Sequence, residues 1–67
     1  MEIGQRVITG AGEVLILDIQ KDYLILFNEE NNQFIKANGY NQDNGKVFWN
    51  GGGYYNSFEE LIENLRL

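Results

Sequence analysis

Glu13-Val14-Leu15-Ile16-Leu17-Asp18-Ile19 and Tyr23-Leu24-Ile25-Leu26-Phe27, separated only by Gln20-Lys21-Asp22, decide how this chain folds. Both runs are dense in Val, Ile, Leu and aromatic side chains, which suit a pleated, half-buried surface better than a helix. Three polar residues between them leave room only for a hairpin turn. Upstream, Arg6 to Thr9 reads as a shorter strand that ends at the breaker Gly10-Ala11-Gly12. Downstream, Asn28-Glu29-Glu30-Asn31-Asn32 is polar and turn-forming, and Gln33 to about Asn38 resumes the strand pattern. To this point the connectivity is a meander.

Asn-Gly follows at Asn38-Gly39, Asn44-Gly45 and Asn50-Gly51. This dipeptide favours the two-residue type I′ turn, because both positions tolerate positive φ. A turn at Asn44-Gly45 sets Asp43 opposite Lys46, Gln42 opposite Val47, Asn41 opposite Phe48 and Tyr40 opposite Trp49. An ion pair then flanks the turn, and the aromatic pair shares the face of Val47 while Phe48 points away. Gly51-Gly52-Gly53 is a poor regular element, so the sheet is expected to end near Asn50.

The tail carries the clearest helix signal. Ser57 and Glu60 have the spacing of a capping box, and Phe58, Leu61, Ile62 and Leu65 fall on one stripe at i, i+3, i+4 and i+7. A helix of about nine residues does not stand alone in water, so its stripe must dock on the sheet. The expectation is a mainly β protein of one small domain over residues 1–67, a five-stranded antiparallel barrel followed by one C-terminal α-helix at about 57–66. Its strands are placed at about 5–9, 13–19, 23–27, 33–38 and 46–50.

Gly4-Gln5-Arg6-Val7-Ile8-Thr9, Gly10-Ala11-Gly12-Glu13-Val14 and Asp22-Tyr23-Leu24-Ile25-Leu26-Phe27 together resemble the opening of SH3-like barrels of the KOW and Tudor sort. The resemblance covers residues 4–37 and leaves the helix outside. It implies a small barrel that binds peptides or nucleic acids through aromatic side chains near its loops.

Composition narrows the chemistry. The 67 residues include no Cys, His or Pro, and ten acidic against five basic side chains leave a charge of -5. Thiol catalysis, disulfides, Cys/His zinc sites and imidazole-based triads are thereby removed. Gly10-Ala11-Gly12 lacks the third glycine and the following helix of a dinucleotide loop. Asn41 to Gly45, aligned as a calcium loop, places Tyr40 and Gly51 where the acidic ligands belong. Glu59 and Glu63 share the helix face opposite the apolar stripe and are expected to be solvated. The expectation is a non-enzyme without cofactor or metal.

No apolar run approaches the ~20 residues of a bilayer span, and the acidic start lacks the charge of a signal peptide, so a cytoplasmic protein is expected. Asn, Ile, Lys, Phe and Tyr, whose codons are A/T-rich, make 27 of the 67 residues, which points toward an AT-rich bacterium or its phage or plasmid.

The candidate site is aromatic. Tyr40, Phe48, Trp49, Tyr54 and Tyr55 lie within sixteen residues among Gly and Asn, with Phe48, Tyr54 and Tyr55 expected to be exposed. Such side chains suit places where one end is buried and the other wet. With the acidic Glu59 and Glu63 they form a candidate surface for another protein of basic character. A phage- or plasmid-borne inhibitor or regulator of a host nucleic-acid enzyme is the sharper form of that reading. The alternatives are direct nucleic-acid binding and a self-associating structural protein. Arg6, Lys21, Lys36, Lys46 and Arg66 are too few and scattered to favour the first; an open edge strand or an exposed Phe48 would pair two copies in the second.

Overall fold

The structure, a computed structural model, describes residues 1–66. Seven strands and one helix follow in order: β1 (Arg6–Thr9), β2 (Gly12–Ile19), β3 (Tyr23–Asn28), β4 (Gln33–Asn38), β5 (Asn41–Asp43), β6 (Lys46–Phe48), β7 (Gly51–Tyr55) and α1 (Phe58–Arg66). They form one sheet in the order β5-β6-β1-β2-β3-β4-β7. Every adjacent pair is antiparallel except β1 and β6, which run parallel. The protein is mainly β with a C-terminal helix, as expected.

The central meander follows the apolar runs. Gln20 N–H donates to the Tyr23 carbonyl at 2.9 Å, closing the turn between β2 and β3. Leu15 opposes Phe27 and Asp18 opposes Ile25, while Leu17 is an extra residue in a bulge that bends β2. Alternation divides β3 into two faces: Leu24, Leu26 and Asn28 point to the core, and Ile25 to the opposite, outer face.

The hairpin around Asn44-Gly45 has the register read from the sequence: Asp43 opposes Lys46, Gln42 opposes Val47 and Asn41 opposes Phe48. Asn44 and Gly45 take φ of 53° and 78°, the left-handed pair a type I′ turn needs. Val47 is fully buried and Phe48, its neighbour on the other side of the strand, is exposed.

The core explains the shape. Val47 of β6 packs in one cluster with Val7, Val14, Ile16, Leu24, Leu26, Ile35 and Ala37. Four inter-strand steps separate β6 from β4, about 19 Å in a flat sheet. Residues that far apart share a core only because the sheet curls.

The expected five-stranded antiparallel barrel is corrected here. The sheet has seven strands, is mixed, and does not close, since β5 and β7 are its two ends. The expected strand at 46–50 stops at Phe48, and the strand-free segment after Asn50 is instead β7. Asn50 N–H donates to the Asn38 carbonyl at 2.9 Å, which turns the chain off β6 and delivers the glycines onto β4. There the lack of side chains is a requirement rather than a weakness. Gly52 has φ +123°, and a Cβ on it would stand 1.7 Å from the Lys36 carbonyl oxygen.

Helix α1 docks on the outer face, against β4 and β7. Glu60 N–H donates to Ser57 Oγ at 3.2 Å, the forward half of the capping box. The Glu60 carboxylate reaches one residue further back than an ideal box, accepting from Asn56 N–H at 3.1 Å. Leu61 is fully buried beside the outer face. Phe58, expected to dock with the stripe, is 52% exposed and stands at the end of an aromatic row, its ring centroid 5.7 Å from Phe34, itself 4.7 Å from Phe27.

Candidate functional site

The curl brings the two flanks of the sheet toward each other without joining them. At this seam lies a cleft of about 200 Å³ lined by Gly10 and Ala11 of the β1–β2 turn, Val47, Phe48 and Trp49 of the β6 segment, and Tyr54 of β7. Tyr54 opposes Ile35, so its side chain is on the core side of the sheet. Being on the last strand, it has no further strand to cover it and is 53% exposed. Phe48 is 47% exposed. Trp49 is half-buried, one part against the core and another in the cleft.

Three of the seven sequence-derived candidates, Phe48, Trp49 and Tyr54, therefore converge. Tyr40 does not join them: it is half-buried against the core, and its hydroxyl donates to the Gln20 carbonyl at 2.8 Å. Tyr55, expected to be exposed, is half-buried because it opposes Phe34 on the outer face. Glu59 and Glu63 are exposed on α1, which also sits on that outer face and does not line the cleft.

Two contributions to the cleft escape a sequence reading. Gly10 and Ala11 read only as a strand connection, yet they form one wall. Asn28 reads as the start of a solvated turn, yet it is 3% exposed and ends β3. Its side-chain amide donates to the Ala11 carbonyl at 3.1 Å, and its carbonyl oxygen accepts from Glu30 N–H at 3.0 Å. Thr9 Oγ1 braces the same turn, accepting from Ala11 N–H at 3.0 Å and donating to the Gly12 carbonyl at 2.9 Å. A buried amide satisfied on both sides fixes the wall on which the aromatics face.

Charge is unevenly neutralised. Among the described residues, the ion pairs are those of Arg6, whose Nη2 meets Glu29 Oε1 at 2.7 Å and whose Nε lies 3.9 Å from Glu13. The hydrogen bond with Glu29, and then that residue's charge, raise the guanidinium pKa further. Lys36 stands 5.1 Å from the centroid of the Tyr23 ring. Nine of the ten carboxylate residues are exposed, all but Asp18.

A second cavity, about 260 Å³, lies between α1 and the outer face, with Leu17, Ile25, Leu61 and Ile62 on its walls. It marks incomplete filling beneath the short helix. Among the described residues no group of three or more Asp and Glu is placed to hold a metal ion, and no helix is long and apolar enough to cross a membrane. Comparison with protein-family models, curated proteins and solved structures yields no match to this chain.

Proposed function

We propose that this protein is a non-enzymatic protein-interaction module that receives a basic partner protein at the seam cleft. The observation that carries the reading is the convergence of Phe48, Trp49 and Tyr54, from two segments at opposite flanks of the sheet, on one largely open cleft. Aromatic side chains held by a folded scaffold lose little further entropy on binding and supply large contact area, the character of interface hot spots. Leaving two of them about half in water costs a 67-residue domain apolar burial that it can ill spare.

The charge of the whole molecule sets the sign of the partner. Eight of the ten acidic residues stand without an ion-pair partner among the described residues, so the field of the molecule attracts cations. Dense exposed carboxylates imitate a phosphate backbone, and a cytoplasmic enzyme that binds nucleic acid is the partner class they suit, with this protein acting as its inhibitor or regulator. Direct nucleic-acid binding is disfavoured, because the five cationic residues come from β1, the β2–β3 turn, β4, β6 and α1, and Arg6 is already neutralised.

The test is affinity capture from the source cell with the wild-type protein and a Phe48→Ala/Tyr54→Ala double variant. The retained protein is then titrated against the purified domain while Trp49 fluorescence is followed. A basic protein held by the wild type, released by salt and lost with the double variant is the expected result. Equal retention by both overturns the assignment of the cleft.

A further inference from the structure

We propose that the partner binds by adding a β-strand to the free edge of β7, through an extended segment in which apolar and basic residues alternate. The inference rests on the seam cleft being the binding site, and it adds the mode of binding and the chemistry of the segment.

The edge is undefended. β7 pairs with β4 alone and ends the sheet. Exposed edges are ordinarily guarded by charged side chains, proline or a bulge. Gly51-Gly52-Gly53-Tyr54-Tyr55 has no charge and no proline, and its pairing with β4 runs through five consecutive residues without a register shift. The opposite end, β5, is three exposed residues that include Asp43 and belong to a tight hairpin, a much shorter template.

The edge also faces the cleft. A strand laid along β7 enters the seam, and side chains alternate across it. Those on the core side fall beside Tyr54, toward Phe48 and Trp49, where the cleft of about 200 Å³ accepts aliphatic groups. Those on the other side emerge on the outer face, where α1 is docked against β7 and carries exposed Glu59, Glu60 and Glu63. The three glycines offer no side chain to obstruct the approach. An alternating Val/Lys or Leu/Arg segment thus meets rings on one side and carboxylates on the other. The aromatics and the helix acids, which do not touch each other, become two halves of one site. A second copy of this chain fits less well, since each copy carries -5 and its own β7 has no cation to offer.

The experiment uses acetyl-Lys-Val-Lys-Val-Lys-Val-Lys-amide and two N-methylated forms, one methylated on the valines and the other on the internal lysines. In a strand, the N–H groups of alternate residues point to opposite edges, and an added edge strand uses only one set. One methylated peptide is expected to lose at least about tenfold in affinity while the other stays within about threefold. Tyr54→Ala is expected to weaken the parent peptide by a similar factor, and a peptide with Glu in place of Lys is expected not to bind. Equal affinities of the two methylated forms overturn strand addition, and the cleft reading survives if Tyr54→Ala still weakens binding. Absence of parent-peptide binding, or equal binding of the Glu peptide, overturns the proposed segment. A dimer in sedimentation equilibrium whose β7 edge amides are protected from exchange assigns the edge to a second copy and overturns the proposal as well.

Discussion

Gly52→Ala is expected to be among the most damaging small substitutions in the chain. At φ +123° an L side chain is strained by about 1–3 kcal/mol before any contact is considered. The new Cβ would lie 1.7 Å from the Lys36 carbonyl oxygen and 2.8 Å from its carbon, both backbone atoms of the paired strand. A tolerable carbon–oxygen contact needs about 3.3 Å, so β7 must retreat from β4 by more than an ångström. Ladder hydrogen bonds do not survive that stretch, and losing about two of them adds roughly 2 kcal/mol. The combined cost of about 3–5 kcal/mol compares with a total stability of about 3–10 kcal/mol for a domain of this size. Gly53→Ala is the control. Its Cβ meets no backbone but the far end of the half-buried Tyr55 side chain, 2.6 Å from the hydroxyl oxygen, 2.9 Å from Cζ and 3.3 Å from Cε2, so the ring must swing aside. Gly10→Ala enters open space without a positive φ and is expected to be neutral. Urea unfolding of the three variants, followed by circular dichroism and Trp49 fluorescence, measures the series. Gly52→Ala within about 1 kcal/mol of wild type, or Gly53→Ala costing as much as Gly52→Ala, refutes the close approach of β7 to β4.

Three further outcomes are expected. Leu61→Ala removes the one fully buried side chain of α1 and should cost about 2–3 kcal/mol in urea, at the lower end for such truncations because the neighbouring cavity already loosens the packing. Asn28→Ala strips the Ala11 carbonyl and the Glu30 amide of their partner and should cost about 1–3 kcal/mol, with a changed Trp49 emission as the cleft wall relaxes. Arg6→Ala should leave the unfolding midpoint almost unmoved, since both side chains of each of its ion pairs, with Glu13 and Glu29, are at least half exposed.

What could be read from the residues was local. The β2–β3 hairpin, the register around Asn44-Gly45 and the helix with its Ser57 cap each follow from interactions within a dozen residues. The course of the last strand was not legible, because it depends on where Asn50 turns the chain. A hydrogen bond from Asn50 to Asn38 places three glycines on β4, and no local signal in Gly51-Gly52-Gly53 distinguishes a flexible link from a strand pressed against a neighbouring carbonyl. The parallel contact of Ile8 with Lys46 is likewise a consequence of curling, not of pattern. The candidate site divided along the same line. Aromatic richness singled out residues 40–55, but alternation along β7 sends Tyr54 to the cleft and Tyr55 to the outer face, a separation visible only once that strand is known. Asn28 was hidden because its neighbours Glu29 to Asn32 belong to a turn, while its own side chain closes the core.

β7 is an open edge beside the aromatic cleft. Residue-resolved amide hydrogen exchange on the isolated protein tests this directly. Along Gly51–Tyr55, amides that face β4 are expected to be protected, and the alternate ones to exchange at nearly the rate of an unstructured peptide. Uniform protection of both sets would show that another strand already covers β7, and with it neither the open seam nor a vacant place for a partner would stand.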